Sequence, residues 1–394
     1  MKLARRVEQL PPYLFARISE LIAAKRAEGV DVISFGMGDP DLPTPGYLLD
    51  RLAEASRDPA NHRYPESDGL PELRQAIARW YRTRHGVELD PDAEVVPLIG
   101  SKEGIAHLPL CLIDEGDVSL VTDPGYPVYE IGTMFAGGET VRLPLREEDG
   151  WLPRLDEVPG EVAVRARILW LNYPNNPTGA VAPISFFETA VKWARANDVV
   201  IAHDLAYADV TFGGYVAPSI LEVDGAREVA IEFNSLSKSF NMTGWRIAMA
   251  VGNAAVIDAL TRVKTNVDSG IPQAIQQMAI TALDDPRDSI TSHNLIYERR
   301  RDRVVEVLRE LGLRVDPPQA SLYVWARLPE AEQSSAEFAG RLIEATGVVV
   351  TPGASYGDGG EGYIRISLTL PDDQLEAGLD RLSRFARGET VLQS

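Results

Sequence analysis

Lys238 sits in the run Glu232-Phe233-Asn234-Ser235-Leu236-Ser237-Lys238-Ser239-Phe240-Asn241-Met242-Thr243-Gly244-Trp245-Arg246, among small hydroxyl residues just past an apolar stretch. A lysine in such a place can lose its proton and form an imine with an aldehyde. Ser235 and Arg246 can hold a phosphate beside it. Imine and phosphate together point to pyridoxal 5′-phosphate (PLP) as the bound group. The chain has six lysines, and Lys238 is the only one between Lys192 and Lys264. The plainer alternative is a surface lysine after a buried strand, the fate of most lysines.

Other residues offer complementary chemistry. Asp204 ends the apolar run Val199-Val200-Ile201-Ala202-His203. A carboxylate at the end of a buried strand needs a partner. A protonated pyridine nitrogen would be one, keeping the ring an electron sink; capping of the next helix is the alternative use. Tyr207, three residues on, can donate to the cofactor's phenolic oxygen or be an ordinary half-buried tyrosine. Asn176, in the turn-rich run Asn172-Tyr173-Pro174-Asn175-Asn176-Pro177-Thr178-Gly179, can place its amide on the same oxygen, or the run is simply a loop. Tyr126 can stack on the pyridine face. Gly100-Ser101-Lys102-Glu103-Gly104 joins a strand to a helix, where free N–H groups suit a phosphate. Lys102 competes for the imine, but a phosphate beside that helix start would keep its ammonium charged. Arg365, a single charge in the strand-like Gly362-Tyr363-Ile364-Arg365-Ile366-Ser367, matches a substrate α-carboxylate or a structural ion pair.

These residues need elements to hold them. Short apolar runs at 95–99, 118–121, 168–172, 199–202, 229–233 and 247–251 predict buried strands. Helical patterns at 71–85, 101–113 and 185–197 lie between several of them. The alternation predicts an α/β fold with a mostly parallel sheet, with ligands beyond the carboxyl ends of its strands. The polar residues named above cluster at those ends. Past residue 285 the pattern changes to one long helix (288–311), strands at 321–327 and 363–368, and a helix at 335–346. These predict a smaller α+β domain completed by the N-terminal segment. The division expected is an arm at 1–45, a large domain at 46–285 and a small domain at 286–394. The arginine run 299–303 reads as a solvated helix face.

Composition narrows the classes. A chain of 394 residues with a net charge of −19 is a poor match for nucleic acid. Cys111 is the only cysteine, which excludes an internal disulfide and any CxxC site. The five histidines (His62, His85, His107, His203, His293) lack metal-ligand spacing, so no metal is expected. Gly36-Met37-Gly38-Asp39-Pro40-Asp41 lacks the third glycine of a dinucleotide fingerprint. No GxSxG or Walker sequence occurs. With no signal-peptide core and no apolar stretch of membrane-spanning length, a cytoplasmic protein is expected.

Taken together these motifs resemble the class I/II aminotransferases, the fold-type I PLP enzymes, over essentially the whole chain. The resemblance implies the PLP-dependent transferase fold, with a mostly parallel seven-stranded sheet and a smaller α+β domain. It implies a Schiff base at Lys238, a pyridine partner in Asp204, and Tyr207 and Asn176 at the phenolic oxygen. Ser235, Ser237, Arg246 and the Ser101–Lys102 backbone would hold the phosphate, and Tyr126 would stack on the ring. Tyr64, in His62-Arg63-Tyr64-Pro65, matches the tyrosine that reaches the phosphate of the partner subunit, implying a homodimer with shared sites. Arg365, Gly38, Asn176 and Tyr13 would contact substrate. Within the family the chain looks most like bacterial LL-diaminopimelate aminotransferases. The finer match rests on segments 10–17, 38–45, 100–107 and 241–246 and on Asp268-Ser269-Gly270. In some relatives an acidic residue three positions after the phosphate-binding tyrosine holds the distal amino group; here that position is Ser67, beside Glu66. The implied reaction is ping-pong transamination from an amino acid to 2-oxoglutarate. The alternatives are a general aspartate/alanine-type aminotransferase, a PLP-dependent C–S β-lyase, or a non-catalytic ligand-sensing domain of a regulator.

Overall fold

The computed structural model of the chain describes residues 2–11, 14–332 and 334–392, without the side chains of residues 14, 15 and 17. Its centre is a seven-stranded sheet. In chain order the strands are β1 (Val95–Leu98), β2 (Val118–Asp123), β3 (Glu139–Pro144), β4 (Ala166–Asn172), β5 (Val200–Asp204), β6 (Ala230–Ser235) and β7 (Ala248–Gly252). In space they run β1-β7-β6-β5-β4-β2-β3. Only β7 is antiparallel to its neighbours; every other pairing is parallel. The helices Ser101–Leu112 and Ile184–Asn197 connect strands of the sheet, and the helix Pro71–His85 precedes β1.

Both faces of the sheet are buried, so its strands are nearly continuous apolar runs. Side-chain alternation then divides each strand between two cores. Leu169 and Leu171 of β4 join one cluster, with Ile201, Phe187 and Ile77. Ile168 and Trp170 join another, with Ala202, Phe233 and Tyr129. The six runs read from sequence coincide with β1, β2, β4, β5, β6 and β7 to within a few residues. The seventh strand, β3, has no apolar run of its own. It is an edge strand whose residues are mostly exposed or half-buried, and it carries Glu139 and Arg142 and ends in Pro144. Such blunting suits an edge and hides it from a periodicity search.

A third core links Ile33 and Phe35 to residues between 297 and 382, and takes in Tyr207, Val210 and Phe212. It is built on a three-stranded sheet of β8 (Tyr323–Arg327), β9 (Thr351–Pro352) and β10 (Tyr363–Ser367), with β10 central. The parallel pair Ile33–Ser34 and Val348–Val349 fastens the N-terminal segment to this region. The helix Ser289–Glu310 carries the arginine run, and one member departs from the solvated face expected of it. Arg300 is buried, held by Asp41 and Asp372 and by the carbonyl of Leu368. Its partners are distant in sequence, so charge patterning alone assigned it to water.

Candidate active site

The strand ends and adjoining turns enclose a cavity of about 400 Å³. Asp204 reaches it from the end of β5 and Asn176 from the turn after β4. Ser235, Ser237 and Lys238 come from the short helical turn after β6. Ser101 and Lys102 begin the helix after β1, and Tyr126 and Tyr207 lie in turns after β2 and β5. Arg246 precedes β7 and Gly38 follows the N-terminal segment. Eleven of the residues singled out in the sequence therefore line one cavity.

Lys238 donates from Nζ to the carbonyl of Gly38 at 2.9 Å. Its ammonium is lowered to about 8, first by burial and further by Arg246 and Arg365, with Asp39 opposing. Desolvation disfavours the charged amine. A neutral amine is thus accessible near neutral pH, the form that attacks a carbonyl.

Asp204 is 6% exposed. Burial pushes its carboxyl up, against hydrogen bonds from Tyr129 and the Ala206 amide and the charge of His203. Tyr129 donates its hydroxyl to Oδ2 at 2.8 Å, and the Ala206 N–H donates to Oδ1 at 3.3 Å. Tyr129 itself stacks on Trp170 with centroids 4.6 Å apart. Among the described residues, no lysine or arginine forms an ion pair with Asp204. A buried carboxylate facing a cavity with only neutral donors fits a cationic ring N–H.

Asn172 ties this carboxylate to the Asn176 loop. Its Nδ2 donates to the Asp204 carbonyl at 2.7 Å, and its Oδ1 accepts from the Asn176 N–H at 2.8 Å. The Asn176 side-chain oxygen is committed to Arg365 Nη1 at 2.9 Å, so the amide has its N–H₂ end left to donate. Tyr207 and Tyr323 share a hydrogen bond of 3.1 Å between their hydroxyls. Burial, and then Tyr323, push the Tyr207 hydroxyl well up, which keeps it a donor.

The opposite end suits an anion. Gly100 has φ 74° immediately before the helix Ser101–Leu112, a backbone region that favours glycine. A Cβ there would lie 2.0 Å from Arg246 Nη2. The glycine therefore lets the guanidinium lie against a helix N-terminus, and both features attract phosphate. Arg246 Nη1 donates to the Thr243 carbonyl at 2.8 Å, which orients the fork. Ser235 Oγ accepts from the Ser237 N–H at 3.2 Å and shapes the turn bearing Lys238.

The remaining expected residues lie elsewhere. Arg365 is fully buried behind the cavity wall. Its Nη2 donates to the Gly36 carbonyl at 2.8 Å, and its guanidinium lies 3.9 Å from the centroid of the Tyr323 ring. Tyr64 is 87% exposed and lines a separate surface hollow with Ser269 and Gly270. Tyr13 lies outside the described residues. Sequence reading passed over Tyr129, Asn172 and Tyr323. Asn172 had a signal, as a polar residue ending an apolar strand, but the two tyrosines matter only through distant partners. The ligand atoms of Glu103, His107 and Asp268 lie within 4.8 Å of one another. Lys264 Nζ donates to Glu103 and Asp268 there, so the two carboxylates already share a buried lysine.

Residues 30–382 match the family model of aminotransferase class I and II. The chain belongs to this family and is an aminotransferase. It is 58% identical over 385 residues to an LL-diaminopimelate aminotransferase of Dehalococcoides mccartyi (strain 195), covering 98% of this chain and 99% of that protein. An LL-diaminopimelate aminotransferase of Moorella thermoacetica is 52% identical, with 98% of each chain covered. Among solved structures, substrate-bound BacF from Bacillus subtilis superposes with a TM-score of 0.93 at 36% identity, covering 98% of both chains.

Proposed function

We propose that the chain binds PLP in the Lys238 cavity and moves an amino group from LL-diaminopimelate to 2-oxoglutarate. The observation that carries the cofactor reading is the opposition, within one cavity, of an amine lowered to about 8 and a buried carboxylate that no lysine or arginine pairs with among the described residues. The donor reading rests on the near-complete coverage of relatives named LL-diaminopimelate aminotransferase.

When bound, PLP supplies an aldehyde for the lysine and a ring that accepts the electron pair left at the substrate Cα. Asp204 holds a proton on the pyridine nitrogen, oriented by Tyr129. Tyr207 and the Asn176 amide donate to the phenolic oxygen. Ser101, Lys102, Ser235, Ser237 and Arg246 bind the phosphate, and Tyr126 packs on the ring. Arg365 receives the α-carboxylate, beside Gly38 and Asn176. Lys238 Nζ would anchor the cofactor and move the proton at the substrate Cα, as covalent anchor and general acid/base. The second half-reaction runs these steps in reverse with the oxo acid.

The same reading makes the enzyme a homodimer in which Tyr64 reaches the phosphate of the partner subunit, and it counts Tyr13 among the substrate-binding residues. It divides the chain into an arm at 1–45, a large domain at 46–285 and a small domain at 286–394. It also places the protein in the cytoplasm; no helix among the described residues is long and apolar enough to cross a membrane. A panel of amino donors assayed with 2-oxoglutarate tests the substrate. LL-diaminopimelate should give the highest kcat/KM. A wide margin for aspartate, alanine or an aromatic amino acid would make the chain a general aminotransferase.

A further inference from the structure

Directly behind Asp204, on the opposite face of the sheet, two buried side chains form a pair that the reaction does not use. His203 and Glu232 are each 0% exposed and are paired residues of the adjacent strands β5 and β6. His203 Nδ1 lies 2.8 Å from Glu232 Oε2, and its Nε2 lies 3.2 Å from the Tyr173 carbonyl. Both neighbours are oxygen acceptors, so each ring nitrogen has a partner to which it can donate. Glu232 also accepts from the Tyr81 hydroxyl at 2.9 Å, the Ser219 hydroxyl at 2.8 Å and the Ile220 N–H at 3.0 Å. Burial would raise this carboxyl, but the His203 bond and charge, with His85 and Ser219, hold it below its ordinary value.

The pair joins the segments that carry the site. His203 immediately precedes Asp204. Glu232 lies on the strand that ends at Ser235 and leads into Lys238. Tyr173 begins the loop that carries Asn176. We propose that His203, kept cationic by Glu232, is a positioning residue whose charge keeps Asp204 ionised from the far side of the sheet. The other groups that face the two residues do not substitute for it. On the Asp204 face these are Tyr129 and Tyr207, whose hydroxyls are pushed well up by burial. On the His203 face, Tyr81 is likewise pushed well up and Tyr173 is raised. His85 is bonded to Glu222, and the nearby Asp209 is paired with Arg84. His203 adjoins Asp204 in β5, and a positive charge there favours the ionised carboxylate.

This inference rests on the reading of the cavity as a PLP site, and the test separates the two. The probe is pyridoxamine 5′-phosphate, which binds without a covalent bond to Lys238, titrated by fluorescence against protein stripped of cofactor over a range of pH. The variant is His203→Gln combined with Glu232→Gln, which keeps polar side chains of similar size and removes both charges together. If the combined variant is insoluble, Glu232→Gln alone serves, because it removes the partner that holds His203 cationic. His203 adjoins Asp204 whereas Glu232 sits on the next strand opposite His203, so loss of the His203 attraction outweighs loss of the Glu232 repulsion, and the acid limb of probe binding should move up by roughly one pH unit. An acid limb in the native position would overturn the proposal, whether binding is unchanged or weakened equally at every pH; the pair would then only brace the strands. Native protein that binds no probe at any pH would overturn the PLP reading itself, and this inference with it.

Discussion

Asp204 and Tyr64 are both assigned to one cofactor, yet one is 6% exposed and the other 87%. Around Asp204 each polar neighbour is fixed by another: Tyr129 by Trp170, Asn172 by Asn176, His203 by Glu232. Around Tyr64 the segment is a loop after the short helical turn Pro59–His62, with residues 65–67 against Gly270, and among the described residues it makes no side-chain hydrogen bond into the cavity. Buried polar groups persist only where they are satisfied, so the inner end of the cavity is determined by the fold of one chain. Tyr64 lies in the separate surface hollow, outside that network. The chemistry common to the family belongs to the first region. On the proposed reading, the sharing of sites would belong to the second.

The largest effect expected falls on the inner region. Lys238→Ala should abolish transamination, because anchor and proton carrier are lost together; steady-state assay at saturating donor checks this. Asp204→Ala should retain some PLP yet lose about 3–5 kcal/mol of transition-state stabilisation, the range for breaking one side of a buried charge pair. Near-normal kcat would contradict the electron-sink role. Arg365→Lys keeps the charge but not the two-pronged geometry. A loss of about 1.5–3 kcal/mol in kcat/KM is expected, the scale of a hydrogen bond to a charged group. Unchanged kinetics for every donor would make Arg365 structural. The smallest effect belongs to the outer region. Tyr64→Phe should weaken PLP binding by about 0.5–1.5 kcal/mol, the net worth of one hydrogen bond. The loss should vanish when the protein is diluted to monomers, since the bond would cross the subunit boundary. A loss as large as that of Asp204→Ala would erase the contrast between the regions.

The pH dependence sharpens the same contrast. Capture of PLP by stripped protein needs the neutral Lys238 amine, which is lowered to about 8 by burial first and by Arg246 and Arg365 next. The capture rate should rise with pH and level off above about 8. An inflection near the ordinary lysine value of 10.5 would place the amine in open water.

The inner region was also the more legible in sequence. Lys238, Asp204 and Asn176 each follow an apolar run, and a parallel sheet gathers the carboxyl ends of its strands into one place. The alternation of strand and helix was enough to group them. Tyr129 was not legible, because its link to Asp204 spans 75 positions and its own segment reads as an ordinary amphipathic helix. Tyr323 was hidden for the same reason, inside a strand whose partner Tyr207 is 116 positions away. Arg300 looked solvated because its acidic partners come from other elements. The edge strand β3 lacked the apolar run that marked its neighbours. Local pattern identified the elements and the polar residues at their ends, whereas pairings made across the fold required the structure.

The most direct test is to reduce the PLP-loaded protein with borohydride, digest it and locate the modified lysine by mass spectrometry. The account predicts the cofactor on the peptide containing Lys238, with little label in Lys238→Ala protein. Label on Lys102, or loading that survives unchanged in Lys238→Ala, would contradict it.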